Sequence, residues 1–108
     1  MTGQERIKAL SALLAKDPGD IFSRYGLALE YTTIGETDRA IGELLDLLQR
    51  DPKYIAAYRQ LGLIFYKRNE TGEAKKYLRK GIELAGDAND LHAKQEMEEE
   101  LEEIEDEW

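Results

Sequence analysis

Ile7, Leu10, Leu13 and Leu14 fall three and four residues apart, with Lys8, Ser11 and Ala12 off their stripe. That spacing puts the apolar side chains on one face of a helix, predicted over about residues 5–15. Asp17-Pro18 ends it, because the residue before a proline is pushed out of the helical region. Asp20 then offers a carboxylate to the free amides of a helix over 21–34, whose buried face carries Leu27, Ala28 and Tyr31. Gly35 suits the left-handed turn that closes this helix, and Thr37 is placed to cap the next, over 38–50. The pattern then restarts. Asp51 is expected as a cap and Pro52 in the first helical turn, where its missing amide costs nothing. A helix over 53–68 follows, with Asn69 in place of the turn glycine. Thr71 opens a helix over 72–85, and Gly86 is read as its stop.

The restart is literal. Asp17-Pro18 recurs as Asp51-Pro52, Ile21 as Ile55, Leu27 as Leu61, Glu36-Thr37 as Glu70-Thr71, Ala40 as Ala74 and Leu44 as Leu78, always 34 residues on. A fixed period of this size with helical patterning predicts stacked helix pairs, an architecture usually built to hold another protein. Ala28, Ala40, Gly62 and Ala74 sit where paired helices must approach closely. Glycine inside a helix costs about 1 kcal/mol relative to alanine, so Gly62 needs a compensating close contact.

Beyond residue 86 the register fails: continuing it would bury His92, Gln95, Glu96 and Glu99. Another stripe exists, Ala93, Met97, Leu101, Ile104 and Trp108, the narrow apolar face of an acidic helix over 90–108. Such a helix can cap the exposed end of a helical stack, or it can lie along the binding face. It also holds the charge. The chain carries a net charge of −8 from 23 acidic and 15 basic residues, and residues 96–108 contain nine of the acids and no base. The body is therefore close to neutral. Lys67, Arg68, Lys75, Lys76, Arg79 and Lys80 crowd residues 67–80, and are expected to face the acidic helix.

Composition narrows the chemistry. With 108 residues, 42% of them hydrophobic, the chain suits one small domain with a real core. It has no cysteine, which excludes disulfides, a thiolate nucleophile and cysteine-ligated zinc. The only histidine, His92, pairs with Glu96 four residues on, and two ligands do not make a zinc centre. No phosphate-binding glycine loop and no nucleophile-elbow sequence occur, so no enzyme activity, catalytic residue, metal or cofactor is expected. No concentrated basic face favours nucleic acid, and no apolar run reaches membrane-spanning length. A cytoplasmic location is the expectation.

Tyr58-x2-Leu61-Gly62-x2-Phe65, followed by Ala74 and Leu78, resembles the tetratricopeptide repeat signature, and Arg24-x2-Leu27-Ala28-x2-Tyr31 with Ala40, Leu44 and Pro52 is a looser copy. The resemblance implies an all-α, right-handed solenoid of antiparallel helix pairs in a single domain, 1–108. Residues 3–18 form a half repeat, 21–54 and 55–88 the two repeats, and 90–108 the acidic capping helix. In that family the first helix of each pair lines a concave groove. By register the partner-binding residues here are Phe22, Tyr25, Leu29 and Thr33, then Ala56, Arg59, Leu63 and Tyr66. The implied function is non-catalytic binding of a protein or peptide. The alternative is self-association into a homo-oligomer through apolar surface at Ile7, Leu14 or Trp108. Capture of a C-terminal carboxylate is disfavoured, because Tyr25 and Leu29 occupy slots where some family members carry lysine and asparagine.

Overall fold

The computed structural model describes residues 1–106, which form six helices and no strand. They are α1 (Gly3–Lys16), α2 (Ile21–Thr33), α3 (Thr37–Arg50), α4 (Ile55–Lys67), α5 (Thr71–Asp87) and α6 (Leu91–Glu105). Trp108, expected on the stripe of the last helix, lies outside the described residues. The chain divides into two compact units, Met1–Pro52 and Lys53–Trp108, and each has its own packing.

Three of the five turns between the helices share one device. Gly35, Asn69 and Asn89 all adopt positive φ, at 81°, 63° and 57°. In each case the following amide donates back across the helix end: Glu36 to Tyr31 O at 2.9 Å, Glu70 to Phe65 O at 2.9 Å and Asp90 to Ala85 O at 2.8 Å. This left-handed closure satisfies carbonyls that the helix end leaves free. It also corrects the expected boundaries. The closure carries the chain straight into Glu36 and Glu70 as N-cap residues, so Thr37 and Thr71 are the first helical residues and not the caps. Gly86 lies within α5, and Asn89 is the residue that turns the chain. Pro52 precedes α4 instead of entering it. Residue 54 stands 34 positions after the capping Asp20, so the helix starts at Ile55, as the earlier one does at Ile21, with Tyr54 at the N-cap position and no side-chain bond to the helix's first amides.

In the first unit, Thr2 and Glu5 form a reciprocal capping box at the start of α1. Helix α1 packs on α2 but buries none of its side chains fully: Ile7, Leu10 and Leu14 are half-buried, and Leu13 is 49% exposed. Asp20 caps α2 by accepting from Ser23 N at 3.0 Å. The Ser23 hydroxyl, which also donates to that carboxylate, is the main reason Asp20 is held below the usual carboxylate pKa. The core joins Leu27 and Ala28 of α2 with Ala40, Leu44 and Leu47 of α3.

Arg24 is buried there too, at 8% exposure, in the slot where the repeat signature places an aromatic. A buried cation must be paired and hydrogen-bonded. Arg24 bridges Glu43 at 3.0 Å and Asp46 at 2.8 Å on α3, and donates to Pro18 O at 2.8 Å. Its removal takes this cation from Glu43, while Asp46 keeps Arg50 at 3.1 Å, and both carboxylates can take up water. Arg24→Ala is therefore expected to cost about 1–2 kcal/mol, below the range for a fully buried pair. The loss should be visible in thermal unfolding, and an unchanged melting temperature would show the bridge to be idle.

In the second unit, α5 packs against both α4 and α6. Gly62 marks the tight crossing: a Cβ there would lie 2.7 Å from Leu78 Cγ and 3.3 Å from Ala74 O. Ala74, Leu78, Ala85, Met97 and Ile104 form the buried cluster, with Phe65, Tyr66, Ile82, Ala93 and Leu101 partly buried against it. From Ala93 to Ile104, the stripe expected of the last helix is thus the face it buries.

Candidate functional site

None of the eight residues assigned to the groove belongs to the fully buried core. On α2, Phe22 is 81% exposed, Thr33 is exposed, and Tyr25 and Leu29 are half-buried. The offsets of three, four and four residues keep them on one side of the helix. Thr33 turns its hydroxyl back to donate to Leu29 O at 3.0 Å. On α4, Ala56 is exposed and Arg59, Leu63 and Tyr66 are half-buried along an equivalent side.

Two of the α4 residues also hold the second unit together. Tyr66 packs against the buried cluster. Arg59 meets Glu100 of α6 as a two-point pair, Nε to Oε1 at 2.8 Å and Nη2 to Oε2 at 2.9 Å, with Glu96 at 3.8 Å. Parallel guanidinium–carboxylate bonds fix orientation as well as charge. The sequence pattern pointed the acidic helix at the basic run 67–80. From that run Arg79 does reach Glu105, at 3.4 Å, but the better geometry belongs to Arg59, outside it. Arg68, Lys76 and Lys80 make local pairs with Glu70, Glu73 and Glu83.

The seat of α6 is Gly81, which the sequence reading did not single out. A Cβ on Gly81 would stand 2.5 Å from Met97 Sδ and 3.2 Å from Tyr58 Cβ. Met97 is fully buried over this glycine, so α6 lies close against α5 at that point. The position is 34 residues after Leu47, and a large residue in the first copy hid the meaning of a small one in the second.

Among the described residues no group of three or more histidine, cysteine or acidic side chains is arranged to hold a metal ion. No helix there is long and apolar enough to cross a membrane. His92 sits beside Glu96 at 3.5 Å on an exposed face.

The tetratricopeptide repeat profile matches residues 2–98. A TPR repeat-containing protein of Pseudomonas aeruginosa is 30% identical over 91 residues, covering 84% of this chain and 87% of that protein. The solution structure of a tetratricopeptide repeat domain protein from Salinibacter ruber superimposes with a TM-score of 0.77 at 29% identity, over 82% of this chain and 90% of the other. A crystal structure of the Yersinia enterocolitica type III secretion chaperone SycD, in complex with a peptide of the translocator YopD, gives a TM-score of 0.87 at 22% identity, over 95% of this chain and 79% of that one.

Proposed function

The chain belongs to the tetratricopeptide repeat family, and from that premise we propose that it is a non-catalytic protein-binding module whose contact residues lie on the first helix of each pair. The observation that carries this reading is the distribution of exposure on α2. Phe22, Tyr25 and Leu29 follow one another along one side, and the outermost is a phenylalanine 81% exposed. A large apolar side chain held that far into water is a candidate contact for a partner. In SycD the same fold is occupied by a peptide, which supports the class of function but not the choice of residues. A short helical or extended segment of another protein is the occupant that fits such a surface.

Position and stability separate the roles. Phe22→Ala removes a ring that the fold does not bury, so it should leave the melting temperature unchanged. If Phe22 is a binding anchor, affinity should fall by about 2 kcal/mol, near thirtyfold. Titration of the partner against the variant and the parent measures this, and equal affinity would remove Phe22 from the site. Arg59→Ala is expected to behave differently. It breaks the pair with Glu100 at a half-buried position, so stability should drop by about 1 kcal/mol, and the drop should shrink at high salt.

Self-association is the second reading. It draws on α1, which buries no side chain fully and leaves Leu13 49% exposed. Sedimentation equilibrium of the parent and of Leu13→Ser decides it: a dimer that the substitution dissolves favours this reading, and a monomer at all concentrations removes it.

A further inference from the structure

We propose that the cleft between α5 and α6 is a second docking surface, and that it takes a basic amphipathic helix from another protein. The cleft has a volume of about 570 Å³. Its apolar part is Ile82 of α5 and Leu101 of α6, both half-buried against the core cluster. Glu98, Glu102 and Glu105 stand along its α6 side, exposed and spaced four and three residues apart, which aligns them on one face of the helix. The single cation of the lining, Arg79, is already paired with Glu105 at 3.4 Å.

This lining selects its occupant. The half-buried Ile82 and Leu101 call for an apolar stripe, and the carboxylates along α6 call for lysine or arginine on the flank of that stripe that faces α6. A helix presents both at once, with the stripe and its flanks at the same three- and four-residue spacing as the glutamates. The net charge of −8 adds a long-range attraction for a basic partner. The same charge opposes a second copy of this chain, which brings another −8 to the encounter. Nucleic acid is repelled by the same carboxylates. Exposed ion pairs contribute little affinity individually, so the apolar contact supplies binding and the rim supplies selection and rate. The surface is separate from the α2 and α4 residues proposed above, and it stands or falls independently of them.

The test uses the full chain and three synthetic peptides of about 15 residues, long enough for four helical turns. The first carries a leucine stripe flanked by lysines. The second has the same composition with the leucines scattered, and the third has glutamates for the lysines. Affinity is read by fluorescence anisotropy and the site by amide chemical shifts. The proposal expects the first peptide to bind best and to shift amides around Ile82, Leu101 and Glu102. Raising ionic strength and the variant E98K/E102K should each weaken it, the variant by about tenfold. Both glutamates are exposed, so the double variant should keep the parent melting temperature. Equal binding of the scattered peptide would reduce the effect to bulk charge and overturn the proposal. So would affinity untouched by E98K/E102K, or shifts confined to α4. A dimer of the chain that E98K/E102K dissolves would assign the cleft to a second copy, and would equally overturn it.

Discussion

Ending the chain after Ala88 should destabilise the second unit by about 3–6 kcal/mol and turn a folded protein into one that binds hydrophobic dyes or aggregates. Two side chains of α6, Met97 and Ile104, are buried in the cluster with Ala74, Leu78 and Ala85, and each fully buried side chain of this size contributes about 1.5–3 kcal/mol. Ala93 and Leu101 add partial burial, and the Arg59–Glu100 pair goes with them. The glycine at 81 makes the loss worse: no side chain of its own remains to cover the surface that Met97 leaves. Thermal unfolding and sedimentation of residues 1–88 check the expectation. A monomeric fragment as stable as the whole would mean that α6 is an appendage and not a cap.

Gly62→Leu should cost about 3 kcal/mol, even though leucine favours helix by about 1 kcal/mol over glycine. The first added carbon already meets Leu78 Cγ at 2.7 Å and Cδ2 at 2.9 Å. Leu78 is fully buried, so its branch has little room to swing, and three further carbons must find space in a closed cluster. For a domain of this size such a loss lowers the melting temperature by about 10 °C or more. Gly62→Ala separates crossing from propensity. It adds only the clashing carbon, so a loss smaller than that of leucine is expected. A melting temperature raised by either change would show that α4 and α5 can move apart at no cost.

The period was the most legible part of the chain. A 34-residue offset carried the positions of Gly35 and Asn69, the close approach at Gly62 and the small residues around it, because each rests on local backbone or pairwise helix geometry that one sequence can display. The shifted stripe of the last helix was legible for the same reason: burying Glu96 and Glu99 is physically excluded, which leaves Met97 and Ile104.

What escaped reading depends on contacts between distant residues. Arg24 looked like a weak copy of an aromatic slot, and only the folded pair of α2 and α3 brings Glu43 and Asp46 to it. Charge counting sent the acidic helix to the basic run, whereas the two-point geometry belongs to Arg59. Helix ends were misplaced where one residue could serve two turns, as at Gly86 and Asn89. The exposed sides of α2 and of α4 were each nameable by register. Their division of labour was not, since Tyr66 and Arg59 serve the packing of the second unit while the Phe22 ring is left 81% exposed.

Site-specific photo-crosslinking in the native cell tests the binding role most directly. A benzophenone amino acid is placed at Phe22 and at Ala56, exposed on α2 and α4, and at Gly42 and Gly72, exposed on α3 and α5 with open space around them. Adducts with another protein from positions 22 and 56, absent from 42 and 72, are the predicted result. Adducts from 42 and 72 with none from 22 and 56, or adducts of the chain only with itself, would contradict it.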